Sequence, residues 1–565
     1  METFSSLLNS RSIDLCATPN NNDDAVSAAM MTVNDYLRYT LAAGLMVGSI
    51  QVYCWYRKRV RRSKELPFPD IPYAVPNPHW LVGHIKLIGS DIVKGQRRLV
   101  VDYAGGDKLV STGFILNTPT FTTLDAELMN RILMSSSERH GAARHVLHFR
   151  RMFGKQTILM QNGAMWRKSR GKIHRALQSY NPQHLQKLLL DASLRVEDCL
   201  CQEIQSNPSH QVLCLKALDL FRMAALDVMG LSCFAYDFGC TKHGRFQTVP
   251  LLENVTFLQQ ELTRRAFEQR LSLAAQLYWI PTKLNRQHAK ARYQFRQTIK
   301  HIISQRRKQP VQSGDTLQFI DYIINHTDNE VNDDELADWL QTTMIGGFDT
   351  TAIALASTIY LLCKHPYYQE QCKREAQRVL GDSAKHGTSD FDATVDLPLI
   401  TACFYEAVRL YPPATVTARN LVRPFEFTLD GKTVTLKENT RILCSFYWIN
   451  RCEQNFPRPN EFLPTRWVQE KCCGIWEARS TKNEIGGDDV ERVKTSFNLS
   501  FSTGARNCVG RSLAMRMAPT ILATLLRGAR FELADENYEI ELERCGGNAV
   551  PIGGVPLRVF LDTAE

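Results

Sequence analysis

A ten-residue loop near the C-terminus, residues 501–510, constrains this sequence more than any other stretch. It reads Phe-Ser-Thr-Gly-Ala-Arg-Asn-Cys-Val-Gly and leads into an apolar run with helical spacing, residues 513–526. Cys508 is therefore expected at the N-terminus of a helix, where free backbone N–H groups and the helix dipole favour a thiolate. A thiolate is a good soft ligand for iron, and the loop glycines suit a backbone turned tightly beneath a flat cofactor, where a Cβ would clash.

The fixed positions of this loop, Phe501, Gly504, Arg506, Cys508 and Gly510, resemble the haem-binding loop of the cytochrome P450 monooxygenases. The resemblance covers about residues 67–565 and implies the cytochrome P450 fold, mainly α with a small β region. It also implies that Cys508 coordinates the iron of haem b (iron protoporphyrin IX) and that Arg506 reaches an acidic edge of the cofactor. The alternative is an ordinary glycine loop with a buried structural cysteine.

A second motif lies in the middle of the longest predicted helix, about residues 332–364, and reads Gly-Gly-Phe-Asp-Thr-Thr over residues 346–351. Each glycine in an apolar helix costs about 1 kcal/mol relative to alanine, which is tolerated when something must approach the backbone closely. The motif resembles the proton-delivery motif of the same family. The resemblance implies that the Thr350 hydroxyl hydrogen-bonds dioxygen and that Asp349 supplies protons. The alternative is a helix kink with a back-bonded threonine.

Two further groups of residues are assigned to the haem and its support. Trp166 and Arg170, at i and i+4, share one helix face, and the resemblance gives them, together with Arg419, the role of holding the haem propionates.

Glu406 and Arg409, at i and i+3, can form a charge-assisted pair on an apolar helix that two prolines end. Burial of that pair would demand another partner. By resemblance the partner is Arg466, which completes a structural lock behind the haem.

The N-terminal region predicts a membrane anchor. Residues 1–35 are polar and expected to be disordered, and residues 36–56 end in an apolar run of roughly 27 Å, which predicts a single transmembrane helix. Residues 57–84 form a basic patch and a stiff proline-rich hinge, and residues 85–565 form the catalytic domain. The positive-inside rule places this domain in the cytosol, and the resemblance places the anchor in the endoplasmic reticulum membrane. A cleaved secretory signal or mitochondrial presequence fits less well.

Composition agrees with a folded, membrane-bound protein. The chain is 44% hydrophobic and 22% charged, which fits a large core, and its formal charge of +10 points first to a membrane surface. No nucleic acid partner is expected, because no nucleic-acid-binding motif occurs. The cysteines are scattered and, apart from Cys508, are expected to be reduced thiols.

Outside the motifs the pattern is less specific. Residues 108–123 predict a small hairpin, residues 182–310 predict helices with polar breaks, and residues 555–561 predict a strand. Residues 469–496 are more charged than expected before the cysteine loop and predict a surface insertion. The turn at residues 551–554 resembles one that lines a substrate pocket.

The resemblance implies a monooxygenase that inserts one oxygen atom from O2 into a lipophilic substrate, by hydroxylation or epoxidation. The sequence contains no flavin or NADPH fingerprint, so electrons are expected from NADPH–cytochrome P450 reductase, with cytochrome b5 as a second partner. A basic docking face is expected at the following residues: Arg167, Lys168, Lys172, Arg175 and Arg511. Two alternatives stay open: a lyase or isomerase of lipid hydroperoxides that needs neither O2 nor reductase, and a non-catalytic haem- or sterol-binding membrane protein.

Overall fold

The computed structural model of the protein describes most of the chain from residue 92 onward. The described ranges are 92–102, 110–115, 118–135, 143–179, 181–207, 212–268, 277–309, 317–326, 331–381, 392–472, 474–478 and 498–561, with the isolated residues 51, 53, 54, 57, 68, 71 and 75. The chain divides into two compact units, residues 1–65 and residues 66–565. The predicted disordered terminus, and almost all of the predicted membrane helix and hinge, lie outside the described residues.

Helices form most of the second unit. They are α1 (Ile92–Val100), α2 (Ala126–Ser135), α3 (Ala143–Phe153), α4 (Gly163–Gln178), α5 (Pro182–Ser206), α6 (Ala217–Cys233), α7 (Pro250–Thr263), α8 (Lys283–Lys308), α9 (Phe319–Asn325), α10 (Asp333–Lys364), α11 (Pro366–Leu380), α12 (Ala393–Asp396), α13 (Pro398–Leu410), α14 (Phe446–Ile449) and α15 (Arg511–Gly528).

Helix ends follow the local sequence. The side chain of Asn332 accepts a hydrogen bond from the backbone N–H of Glu335 at 2.9 Å and caps α10, whose first turn is acidic. Asn181 caps α5 in the same way, and Pro182 occupies the first helical position, where no N–H is needed. The predicted bounds of the longest helix are therefore confirmed.

Short strands form several small sheets beside the helices. They are β1 (Val110–Ile115), β2 (Thr118–Thr123), β3 (Val212–Lys216), β4 (Thr241–Lys242), β5 (Arg245–Phe246), β6 (Val416–Asn420), β7 (Phe425–Leu429), β8 (Lys432–Leu436), β9 (Arg441–Ser445), β10 (Val468–Cys472), β11 (Ile475–Ala478), β12 (Ala529–Leu533), β13 (Leu542–Cys545), β14 (Asn548–Pro551) and β15 (Pro556–Leu561).

The largest sheet has the order β1-β2-β9-β6, and a second has the order β12-β15-β3. The hairpin predicted within residues 108–123 is confirmed as the antiparallel pair β1 and β2. The C-terminal strand predicted near residues 555–561 is confirmed as β15. Pairing of β15 with β3 adds a strand to the region 182–310, which was expected to be helical between its breaks.

Helix α10 forms the centre of the helical core. It packs against α6, α13, α8 and α15, and its side chains belong to the larger of two hydrophobic clusters. The smaller cluster lies around the sheet that contains β1, β2 and β9. Among the described residues, α10 is also the one helix long and apolar enough to cross a membrane, yet 83% of its most apolar window is buried inside the protein. Its apolar composition is thus that of a core helix.

The predicted surface insertion at residues 469–496 is described only at its start. There β10 and β11 pair as an antiparallel hairpin with an irregularity between Glu470 and Cys472. The rest of the insertion lies outside the described residues.

Candidate active site

A cavity beside α10 brings the cysteine loop and the Gly-Gly-Phe-Asp-Thr-Thr motif to one place. It contains about 1580 Å³ of empty space, part of it open to solvent, and both Cys508 and Thr350 line it. Apolar side chains form much of the remaining wall, among them Leu159, Met229, Ala354, Phe404 and Leu513. The space is thus large and mostly apolar, with the thiol of Cys508 and several hydroxyls from the two predicted motifs.

The loop around Cys508 is held in shape by its own backbone. The N–H of Cys508 donates to the carbonyl oxygen of Phe501 at 2.8 Å, which closes the loop before α15 begins at Arg511. The Cys508 side chain is exposed and lines the cavity. The expected place of the cysteine, just before a helix, is therefore found.

The surroundings of Cys508 act in opposite directions on the pKa of its free thiol. Burial raises this pKa, whereas the backbone N–H of Gly510 and the positive charges of Arg170 and Arg511 act to lower it. For the free thiol the loss of hydration outweighs these favourable contacts. A helix N-terminus alone therefore does not make this group a thiolate, whereas coordination to a metal ion deprotonates a thiol outright.

Gly504 and Gly510 of the loop differ in the space that is available for a side chain. Gly504 has a φ of +71°, and a Cβ there would lie 2.5 Å from the carbonyl oxygen of Leu133, so this glycine is required by packing against α2. Its expected place in a backbone turned tightly beneath a cofactor stays a prediction. Gly510 lines the cavity, and a Cβ there would meet no described atom within 4 Å. Gly346 on α10 has the same property, so open space faces the backbone on both sides of the cavity.

Three arginines and a tryptophan line one part of the cavity: Arg170, Arg419, Arg506 and Trp166. The guanidinium carbon of Arg506 lies 3.8 Å from the centre of the Trp166 ring. Arg506 also donates to the carbonyl oxygen of Gln161 at 2.9 Å, and Arg419 donates to the hydroxyl of Thr417 at 2.6 Å.

None of the described residues that line the cavity is acidic, so three positive charges face it without a carboxylate among them. A flat dianionic porphyrin fits this donor set, since its two carboxylates would meet the arginines and its iron would meet the thiol.

The Gly-Gly-Phe-Asp-Thr-Thr motif divides its polar side chains between two sides of α10. The hydroxyl of Thr350, which lines the cavity, donates to the carbonyl oxygen of Gly346 at 2.7 Å. Asp349 is 1% exposed and does not line the cavity. Its Oδ1 accepts from Nε of Arg222 at 2.9 Å, and its Oδ2 accepts from the side-chain amides of Gln259 and Asn548, both at 2.8 Å.

The second glycine of the motif, Gly347, lies against α6. A Cβ there would come within 2.3 Å of the sulfur of Met229, which is the flexible end of a side chain. Gly347 therefore lies where α6 approaches α10 closely, and it also lines the cavity together with Met229.

The structure brings together the three residues of the predicted lock. Glu406 and Arg409 are fully buried, and Glu406 accepts from Nε of Arg409 at 2.9 Å and from Nε of Arg466 at 3.2 Å. The same carboxylate accepts from the indole N–H of Trp467 at 2.9 Å and from the backbone N–H of Leu463 at 3.2 Å. Such a buried charge cluster is stable only because its donors and acceptors are matched.

The expected docking face is only partly at the surface. Arg167, Lys168, Arg175 and Arg511 are exposed, but Lys172 is buried and donates to the carbonyl oxygen of His326 at 3.3 Å. The inclusion of Lys172 in a surface patch was therefore wrong. Arg511 also lies over the ring of Phe501, with its guanidinium carbon 5.6 Å from the ring centre.

Sequence reasoning missed the partners of Asp349. Gln259 and Asn548 belong to no motif, and nothing in their local sequence singles them out. Arg222 did carry a signal, because it is the one basic residue in the mostly apolar helix α6, and a buried arginine needs an acidic partner.

Comparison with known proteins agrees with the site. Residues 74–550 match the family model described as Cytochrome P450. Cytochrome P450 4F1 of Rattus norvegicus is 26% identical over 512 residues, 86% of this chain and 88% of the relative. Leukotriene-B4 omega-hydroxylase 3 of Mus musculus is 26% identical over 515 residues, 87% and 88% of the two chains.

Taurochenodeoxycholic 6 alpha-hydroxylase of Sus scrofa is 30% identical over 276 residues, 48% of this chain and 47% of the relative. Members of the matched family bind haem b through a cysteine thiolate. Because the family match spans most of the sequence, and the cavity fits that cofactor, the chain belongs to the cytochrome P450 family and is a haem monooxygenase.

Proposed function

We propose that this monooxygenase is held in the endoplasmic reticulum membrane by a single N-terminal helix and hydroxylates or epoxidises a lipophilic molecule. Electrons come from NADPH–cytochrome P450 reductase, with cytochrome b5 as a second candidate donor. The observation that carries the proposal is the cavity in which Cys508 and Thr350 lie beside three arginines.

The loop and rim residues hold the cofactor in this proposal. Cys508 ligates the iron, and Arg170, Arg419 and Arg506 bind the propionates, with Trp166 packed against Arg506. When bound, haem b activates dioxygen, so that one oxygen atom enters a C–H or C=C bond and the other leaves as water.

The loop shape depends on further residues, each with a separate task. Phe501 closes the loop through its carbonyl oxygen, Gly504 allows the loop to approach α2, and Gly510 leaves space above the sulfur. Behind the loop, Glu406, Arg409 and Arg466 act as the structural lock.

Thr350 and Asp349 act on protons. The Thr350 hydroxyl gives its hydrogen to Gly346, so its oxygen can accept a hydrogen bond from a group in the cavity. Asp349 exchanges protons from a face of α10 that does not line the cavity, where it is held by Arg222. Thr350 is the next residue along the helix and does line the cavity, so a proton from Asp349 reaches the cavity on the Thr350 side.

The substrate proposal depends on the walls of the cavity and on the relatives. Apolar residues dominate the described wall, which favours a lipophilic molecule over a polar one. Two relatives are named for hydroxylation of leukotriene B4 and of taurochenodeoxycholic acid, which are both lipids. A lipid is therefore the first class to test.

The test uses the full-length protein in lipid nanodiscs. Purified protein is titrated with a library of fatty acids, sterols and terpenoids, and optical shifts identify the compounds that bind. Each bound compound is then incubated with reductase and NADPH, and products are identified by mass spectrometry. We expect oxygenated products that depend on NADPH and reductase. Turnover of a lipid hydroperoxide without either would support the lyase or isomerase alternative.

The iron ligand is tested separately by the reduced, carbon-monoxide-treated spectrum. We expect a thiolate-type spectrum for the natural protein and its loss in Cys508→His. An imidazole-type spectrum in the natural protein would contradict the assignment of Cys508.

A further inference from the structure

The buried carboxylate of Asp349 is bound by side chains from three separate elements. Arg222 belongs to α6, Gln259 to α7 and Asn548 to the start of β14. Arg222 is 7% exposed and Gln259 is 2% exposed, so these contacts exclude water from most of the network. The positive charge of Arg222 alone would balance the negative charge of Asp349. The two neutral amides add no charge, but their hydrogen bonds orient the carboxylate.

The two amides also lie on one packed interface. The turn between β13 and β14 docks on α7, because the N–H of Gly546 donates to the hydroxyl of Thr263 at 2.6 Å. Gly546 has a φ of +64°, and a Cβ there would lie 3.2 Å from Cγ of Gln259, so both the backbone and the close packing on α7 favour a glycine. At its other side, the N–H of Ala549 donates to the carbonyl oxygen of Pro413, which lines the cavity. Asn548 is thus held between the wall of the cavity and Asp349.

The carboxylate lies in a cluster of buried polar groups. Nη2 of Arg222 is buried and makes no hydrogen bond of ordinary geometry within the described part of the chain, although the Cys545 thiol acts on this guanidinium. The other titratable groups of the network are Cys545 and Asp219. Burial and the charge of Asp349 raise the pKa of Cys545 to about 11, so this thiol is neutral near pH 7. Asp219 acts on Arg222 at longer range.

We propose that Gln259 and Asn548 are positioning residues for proton delivery, which fix the carboxylate of Asp349 between Arg222 and the Thr350 side of α10. The carboxylate accepts one proton that originates in solvent and releases one proton towards the cavity, so its charge is the same before and after each transfer and no oxidation state changes. The two amides return it to one rotamer after each transfer. This inference rests on the proposed role of Asp349.

The first experiment removes each amide in the full-length protein reconstituted with reductase. Asn548→Ala and Gln259→Leu are expected to lower the ratio of product to NADPH consumed by about tenfold, the factor that a hydrogen bond to a charged group supplies. The solvent deuterium isotope effect on turnover is expected to rise, while the substrate Kd from optical titration stays unchanged. Glu543→Gln, on the exposed side of β13, is the matched control and is expected to leave all three quantities unchanged.

The second experiment asks whether the amides act through Asp349. In an Asp349→Asn background, Asn548→Ala is expected to have no further effect on product per NADPH. The same double-mutant cycle is measured in thermal unfolding, which needs no turnover and reports the Asn548–Asp349 contact itself. If Asn548→Ala does not accumulate as folded protein, Asn548→Asp is used. It keeps the shape of the side chain, removes the donor and is expected to lower the ratio further.

The outcomes separate this inference from the role of Asp349. If Asp349→Asn lowers the ratio but Asn548→Ala and Gln259→Leu do not, the positioning inference is overturned and the role of Asp349 stands. The same holds if the effect of Asn548→Ala persists undiminished in the Asp349→Asn background. If Asp349→Asn itself leaves the ratio and the isotope effect unchanged, both the proposed role and the inference are overturned.

Discussion

Replacing Glu406 by alanine should remove one of the largest single contributions to the stability of this protein. The carboxylate accepts hydrogen bonds from two guanidinium groups, one indole and one backbone N–H, all in the interior. Its loss leaves Arg409 buried and without a carboxylate partner, a change that costs about 3–5 kcal/mol. Since whole domains are stable by only about 5–15 kcal/mol, the variant should lose a large share of its folded fraction.

A graded series makes the magnitude testable. Trp467→Phe removes one of the hydrogen bonds to the carboxylate and should cost about 1.5–3 kcal/mol, less than Glu406→Ala. Glu370→Gln breaks an exposed pair with Arg374 and serves as the control, with an expected loss below about 1 kcal/mol. Guanidinium unfolding followed by circular dichroism gives the midpoints. A Glu406→Ala midpoint equal to that of Glu370→Gln would refute the argument that the buried carboxylate stabilises the fold.

Three further predictions follow from single contacts. Thr350→Ala should lower coupled product formation by at least about tenfold, as expected for a lost proton-transfer group, while haem content measured by absorbance stays normal. Glu375, 2% exposed, accepts the backbone N–H groups of Leu399 and Ile400, and burial raises its pKa to about 7. Because the folded carboxyl keeps its proton more strongly than the unfolded one, stability should fall as the pH rises from about 4.5 to 7, by at most about 3 kcal/mol. Unfolding midpoints across this range should show that dependence reduced in Glu375→Gln. At low salt, Lys168→Glu should slow reductase-supported turnover several-fold, whereas Lys290→Glu on α8 should not, and equal rates for both would argue against the docking face.

The residues that the sequence predicted well have partners close in the chain or belong to motifs of the family that it resembles, as Arg466 does at 60 residues from Glu406. Glu406 and Arg409 are three residues apart, and the positions of Cys508 and Thr350 follow from motifs of ten residues or fewer. The partners of Asp349 lie 127, 90 and 199 residues away, so no local spacing could indicate them. The surroundings of the Asp349 side chain are set by α6, α7 and the β13–β14 turn together, which supply its three partners.

Some neighbours could not be inferred from the local sequence, because they belong to elements that are distant in the chain. Lys172 has the sequence surroundings of an exposed helix face, but packing of α9 against α4 buries it next to His326. Gly504 belongs to the cofactor loop, yet the atom that excludes a side chain there belongs to α2. The pKa of the free Cys508 thiol likewise depends on the hydration lost to the whole surrounding shell, and not only on the one helix end that the sequence reveals.

Strand β15 has a consequence for how the chain reaches its native state. It lies between β12 and β3 and pairs residues 556–560 with residues 212–216. Bringing β3 and β15 together closes a loop of more than 300 residues, which costs chain entropy before the strand pairing stabilises the sheet. This order of events favours late formation of the sheet. Until then β3 presents an unpaired edge that other chains can join, so shortening the protein before Pro556 should promote aggregation.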